Sequence, residues 1–343
     1  MPDLTHFDPN SVGLKANNIF GLPFTEAESE LILIPVPWEV TVSYRPGTAN
    51  GPANIFEAAL QVDLFDPDVE DGWKKGFHML EEDVAIKGKS TLLRKNAEDI
   101  IGYMADGGDV AENKDLGHKQ EEINRAGEEL RDQLYEMTLS HLRQGKKVGL
   151  IGGDHSTPLG FIKALAHVHE SFGILQIDAH ADLRIAYEGF TYSHASIMYN
   201  VLQQVPQVKK LVQVGIRDYC NEELDMINES NGRVITFFDK KIKEQQYEGN
   251  TWKNICNSII EMLPHKVYIS FDIDGLDPKL CPGTGTPVPG GFEMEEIFYL
   301  FKLLHESGRK LIGFDLNEVS GGDGIDAIVG ARVLFKLCNF MVA

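Results

Sequence analysis

Short, continuously apolar runs recur along this chain, with helical stretches between them: Leu31–Val36 and the segments 147–151, 173–178, 210–216, 233–238, 266–274 and 310–316. Strands that alternate apolar and polar residues have one wet face. Runs without alternation read as strands buried on both faces. Strand–helix alternation of this kind leads to an α/β fold, a three-layer αβα arrangement around a mainly parallel sheet. The clearest helix precedes the 147–151 run: Ile123, Ala126, Leu130, Leu134 and Met137 fall on one stripe, and Gly145 follows as a stop signal. Gly51-Pro52, followed by an apolar run to Leu60, predicts another helix with Pro52 in its first turn.

No internal repeat interrupts the 343 residues. One stretch, 105–118 (ADGGDVAENKDLGH), is acidic and Gly-containing and reads as a surface loop rather than a linker. The chain therefore reads as a single domain over 1–343, with residues 1–30 as an N-terminal extension. Its formal net charge of −20 argues against a nucleic-acid footprint, which needs a basic face, and against an anionic membrane surface. It suits a cationic small-molecule substrate. The N-terminus has no basic patch with an apolar run behind it, and no apolar run approaches the ~20 residues that span a bilayer. Cys220, Cys256, Cys281 and Cys338 are scattered without C-x-x-C spacing, so reduced thiols and a cytoplasmic location are expected.

The acids and histidines cluster at strand ends, where open α/β sheets bind ligands. Run 147–151 leads into Gly152-Gly153-Asp154-His155-Ser156, and run 173–177 into Asp178-Ala-His180-Ala-Asp182. Run 267–271 leads into Asp272-Ile-Asp274-Gly-Leu-Asp277, and run 311–316 into Asn317-Glu318. In an extended strand Asp272 and Asp274 would share a face, about 7 Å apart at Cα. Asp178, His180 and Asp182 would stretch over about 13 Å, too far for one compact site, so the chain must leave the strand near Asp178 and curl. A single strand-end Asp is more often a cap or turn residue, and His155 alone would be a core histidine. Several uncompensated acids at one buried sheet edge would repel one another, and cations between them resolve the conflict.

GGDHS at 152–156, DAHAD at 178–182 and SFDIDGLDPKLCPGTGTPVPGG at 270–291 resemble the three signature regions of the ureohydrolase (arginase/agmatinase) family. They stand in the family's order, within a matching framework over roughly residues 30–340. The resemblance implies an arginase-like fold and two divalent metal ions. One ion would take His155, Asp178, Asp182 and Asp272, and the other Asp178, His180, Asp272 and Asp274. Oxygen and imidazole ligands suit manganese, with nickel as the choice for a guanidine hydrolase. Glu318 matches the family's guanidinium clamp and His194 its proton-shuttling histidine; with Asp182 these are the expected catalytic positions. Asp154 and Asp277 match framework positions that hold ligands and loops, and 41–47 (TVSYRPG) resembles a pocket-rim loop. A homo-oligomer, trimer or hexamer, is implied as well.

A guanidinium carbon is a poor electrophile, so its hydrolysis needs hydroxide, which metal coordination supplies near neutral pH. The segment LRIAYEGFTYS after Asp182 resembles agmatinase-like bacterial enzymes and lacks the Ser-Gly-Asn element of arginases. The expected reaction is agmatine to putrescine and urea. The loop after Glu318, VSGGDGID, departs from the agmatinase pattern. A nickel-dependent guanidine hydrolase therefore stays open, followed by guanidinobutyrase, arginase and formiminoglutamase. A non-catalytic polyamine-binding relative is the alternative of a different class, although such a relative would be expected to lose ligands.

Overall fold

The computed structural model of the protein describes residues 4–5, 7–320 and 324–343. Residues 321–323, in the loop after Glu318, therefore lie outside the described residues. Eight strands form one sheet: β1 (Leu31–Val36), β2 (Phe77–Met79), β3 (Lys147–Gly152), β4 (Phe172–Ile177), β5 (Val208–Val214), β6 (Val234–Phe237), β7 (Lys266–Asp272) and β8 (Lys310–Asn317). Their order is β2-β1-β3-β8-β7-β4-β5-β6, and every pairing is parallel. Among the described residues, nine α-helices lie in the connections between strands, α1 (Gly51–Ala59), α2 (Val84–Ala105), α3 (Lys114–Arg143), α4 (Leu159–Val168), α5 (Ile197–Gln204), α6 (Asn221–Glu229), α7 (Asp239–Tyr247), α8 (Trp252–Glu261) and α9 (Met294–Glu306), and α10 (Ile325–Val342) follows the last strand. None of the described helices is long and apolar enough to cross a membrane.

The continuous apolar runs are buried on both faces, as two separate cores show. Leu31 and Leu33 of β1, with Ile269 and Phe271 of β7, face a core completed by α1, α8, α9 and α10. Ile34 and Val36 of the same β1, with Val148 and Leu150 of β3, face a second core completed by α2 to α5. The predicted stripe Ile123, Ala126, Leu130 and Leu134 is the buried face of α3, and Gly145 turns the chain at φ +77° just after it.

Three readings change. The edge strand β2 has no counterpart among the predicted runs: it is three residues long and carries a half-buried His78 in its centre. Strand β7 stops at Asp272, and residues Ile273–Gly275 form a tight 3-10 turn, so Asp274 is not a strand residue. The stretch 105–118 is a loop only between Asp106 and Asn113. Asn113 accepts the N–H of Leu116 and starts α3 there, while Leu116 is buried. Beyond these three, Ile19 to Leu22 of the N-terminal extension are buried in the first core, so this part packs into the folded body.

Candidate metal centre and active site

Strands β3, β8, β7 and β4 are neighbours in the middle of the sheet, and their carboxyl ends carry the four polar segments. This edge is also where the strand order reverses, the position at which open α/β sheets leave a crevice. Local geometry narrows the gap further. A Cβ at Gly153 would collide with the Trp38 carbonyl, so glycine lets the turn after β3 lie against the loop after β1. Beyond β4 the chain curls as the spacing of its ligands required, with Asp182 at φ +55°.

The six expected ligands converge. His155 Nδ1 is 3.0 Å from Asp178 Oδ2, 3.1 Å from Asp182 Oδ2 and 3.2 Å from Asp272 Oδ2. His180 Nδ1 is 3.0 Å from Asp274 Oδ2 and 3.7 Å from Asp178 Oδ1. Asp178 thus turns one oxygen to each histidine, as a carboxylate shared by two adjacent sites does. Two compact groups result: His155 with Asp178 and Asp182, and Asp178 with His180 and Asp274. Asp272 gives Oδ2 to the first group, while its Oδ1 accepts the N–H of Asp274 at 2.9 Å, so its sharing between two ions rests on the family resemblance.

The electrostatics call for positive charge. Burial and then the neighbouring Asp274 push Asp178 up. Burial, with Asp274 and Asp178 adding to it, pushes Asp272 well above the carboxylate range. Asp182 is raised to about 7 by burial and Asp178. Burial would pull His155 and His180 down, but the carboxylates around them hold His155 well above the ordinary histidine value and His180 at about 10. Asp274 alone is lowered: the His180 charge and the Ala179 N–H outweigh its burial. His155 Nδ1 is buried and makes no hydrogen bond despite three carboxylate oxygens about it. A buried imidazole nitrogen that is orphaned while carboxylate oxygens converge on it is what a metal ligand looks like, and the residues present fit such an ion.

An outer layer orients the ligands, and most of it was not legible in the sequence. His155 Nε2 sits 2.9 Å from Ser270 Oγ, which donates to Asp315 Oδ1 at 3.0 Å; Tyr268 OH and Asn317 Nδ2 donate to the same Asp315. This chain turns the His155 ring so that Nδ1 faces the acids. Arg217 holds the loops from beneath, donating to the carbonyls of Asp274, Leu276 and Val288. Asp315 stands inside strand β8 and Arg217 in the loop after β5, with no motif to mark either. Of the framework acids, buried Asp154 accepts the Ser156 N–H at 3.0 Å and is raised to about 6 by burial. Asp277 accepts the Lys279 N–H at 3.0 Å and shapes its own turn.

Above the ligands lies a cavity of about 270 Å³ with His180, Asp182 and His194 in its floor and walls, and Ser43, Tyr44, Tyr187, Tyr219 and Glu223 higher up. The 41–47 loop therefore does form part of the rim. His194 is anchored by Thr41, whose Oγ1 accepts its backbone N–H at 3.2 Å and lies 3.5 Å from Nδ1. Burial, then repulsion from His180 and His155, lowers His194 to about 3, so its ring is neutral. Glu318 sits deeper, at φ +61°: Oε1 accepts the His155 N–H at 3.0 Å, and Oε2 is buried without a partner among the described residues. Burial, Asp272 and Asp154 push its carboxyl well above the usual range. A Cβ at Gly285 would lie 3.0 Å from Oε2, so glycine there keeps that oxygen uncrowded. Loop 282–291 is pinned at several points, among them Gly283 N–H to Asp326 Oδ2 at 2.9 Å and Thr284 Oγ1 to the Glu318 carbonyl at 2.9 Å.

Comparison with known proteins agrees with this arrangement. The chain is 28% identical over 318 residues to the N(1)-aminopropylagmatine ureohydrolase of Synechocystis sp., covering 92% of this chain and 90% of that protein. It is 28% identical over 297 residues to the agmatinase of Bacillus anthracis, covering 85% and 84%. The solved agmatine ureohydrolase of Thermoplasma volcanium shares the fold with a TM-score of 0.68 at 22% identity, covering 93% of this chain and 92% of that one. The Arginase family model matches residues 29–339, nearly the whole chain. With this match over nearly the whole of the folded chain, the chain belongs to the arginase family and is a hydrolase of the ureohydrolase type.

Proposed function

We propose that this enzyme uses two divalent ions, manganese in the first instance, to hydrolyse the guanidino C–N bond of agmatine, releasing putrescine and urea. The observation that carries the reading is Asp178 divided between His155 and His180, next to the cavity that His180 and Asp182 line. His155, Asp178, Asp182 and Asp272 would hold one ion, and Asp178, His180, Asp272 and Asp274 the other. When bound, the ions supply Lewis acidity and a nucleophile from water near neutral pH. The chain's own groups do the rest. Glu318 holds the guanidinium by accepting a charge-assisted hydrogen bond from a guanidinium N–H at Oε2. The oxygen of water bonds to the guanidino carbon, the bond to the alkyl nitrogen breaks, and the neutral ring of His194 takes up a proton and returns it to the departing amine. Asp218 and the tyrosines at the cavity mouth offer negative charge and aromatic faces to a second cationic group on the substrate. Relatives named for agmatine and for aminopropylagmatine support that substrate class. A homo-oligomer, trimer or hexamer, and a cytoplasmic location belong to the same proposal.

Loading the apo-protein separately with manganese and nickel, then measuring urea from a panel of guanidino compounds, tests it. Agmatine or aminopropylagmatine is expected to be turned over well ahead of guanidinobutyrate and arginine. Turnover of free guanidine by the nickel form alone would replace the substrate assignment with guanidine hydrolysis. No product from any compound with either metal would overturn the reading. His194→Ala is expected to keep both ions and lose about 10²- to 10⁴-fold in kcat, the usual worth of general acid–base help. Loss of metal in that variant, with full turnover once metal is restored, would contradict the role.

A further inference from the structure

Helices α2 and α3 form an antiparallel pair outside the sheet, and each reaches a different wall of the cavity. From α2, Ser90 Oγ accepts the Glu39 N–H at 3.0 Å. One turn later, Arg94 Nη1 donates to the Val40 carbonyl at 3.3 Å and, more closely, to that of Val42. From α3, the Asn124 side chain accepts the Thr191 N–H at 2.9 Å and donates to the Gly189 carbonyl at 3.4 Å. The two gripped segments meet at one point. Thr41 lies between the two carbonyls that Arg94 holds, and its hydroxyl is the group that accepts the His194 N–H. His194 itself follows directly on the segment that Asn124 holds.

We propose that Arg94 is a positioning residue for the reaction: it fixes the backbone on both sides of Thr41 and through Thr41 sets the His194 ring over the cavity floor. The proposal rests on the reading of His194 as the proton-transfer group. Arg94 touches neither the cavity nor the ligand set. Its side chain is only 12% exposed, and Glu98 steadies it at 3.2 Å from Nε. A rigid, planar donor fork suits two carbonyls facing one residue, whereas a lysine ammonium on a flexible stem holds them less firmly. Misplacing a reacting group by about 1 Å through a change far from the chemistry can cost ~10²-fold in rate.

The experiment is a double-mutant cycle on the metal-loaded enzyme, with kcat, KM and bound metal measured for Arg94→Ala, His194→Ala and the pair. Arg94→Ala is expected to retain two ions, shift KM by no more than about twofold, and lose about 10- to 100-fold in kcat. In the His194→Ala background the same change is expected to cost nothing further, because the group it positions is gone. Arg94→Lys should recover part of kcat, and it carries the same cycle if the alanine variant fails to fold. An Arg94→Ala enzyme with wild-type kcat overturns the proposal, as does an equal loss in both backgrounds. His194→Ala with wild-type kcat would instead remove the reading on which the proposal stands, and the single variant identifies that case.

Discussion

Asp272→Ala is expected to give a folded protein that no longer retains two ions and shows no measurable turnover. The aspartate supplies one of three carboxylate oxygens within 3.2 Å of His155 Nδ1, and its other oxygen caps the turn that aims Asp274 at His180. Losing it disturbs both halves of the centre, so the cost should exceed the 10- to 100-fold that follows loss of an outer partner alone. A stability measurement separates a metal site from a merely structural acid cluster. In the metal-free wild type, Asp182 is held at about 7 by burial and Asp178, above its ordinary value. A carboxyl raised in the folded state favours folding while protonated, so its contribution is present below about 4 and is lost as pH rises through about 7. Removing Asp272 takes away a further buried acid that Asp274 and Asp178 repel. Metal-free Asp272→Ala should therefore melt no lower than metal-free wild type at pH 7, while added manganese or nickel raises the wild type far more than the variant. A variant that binds two ions and turns over normally would rule out the ligand assignment.

The way these residues meet explains how much of the molecule could be read beforehand. Strands buried on both faces, such as Ile32–Ile34 within β1, announce themselves because every position must be apolar. The edge strand β2 has one neighbour and needs only three paired residues, so it leaves no run to find. The cluster was legible because strand-end acids spaced at short intervals have few structural uses in common, while the sorting of its members between two ions came from the family resemblance. Their exact path was less so: Asp274 reaches His180 from a 3-10 turn, which the alternation of a strand does not describe. Asp315, Arg217 and Arg94 were silent because each acts through partners 45 or more residues away. Asp315 is one acid in an apolar strand, and Arg94 is one basic residue on a polar helix. Only the tertiary arrangement shows that the first orients His155 and the second reaches the loop that carries Thr41.

Glu318→Gln is expected to retain both ions and to lose about 10²- to 10³-fold in kcat/KM, the range that follows when one partner of a buried charge pair is neutralised. The change is close to isosteric, and the amide oxygen still accepts the His155 N–H that Glu318 Oε1 accepts now. What disappears is the negative charge at Oε2, the oxygen that is buried, unpartnered and kept uncrowded by Gly285. A guanidinium donates in a planar fork, so a carboxylate oxygen in that position gains both charge attraction and direction, while an amide nitrogen there would present a donor to a donor. The contact exists in the bound substrate as well as at the transition state, so KM should rise along with the fall in kcat. Burial together with Asp272 and Asp154 drives the Glu318 carboxyl upward in the empty protein, and this too favours a cationic ligand. The amide removes a buried carboxyl that burial and the neighbouring acids Asp272 and Asp154 disfavour as an anion, so the metal-free variant should be at least as stable as wild type. Metal analysis, melting and steady-state kinetics on the same preparation give a clear answer. Unchanged kcat/KM with both ions bound would take the clamp away from Glu318, and loss of the ions would make it a member of the metal site instead.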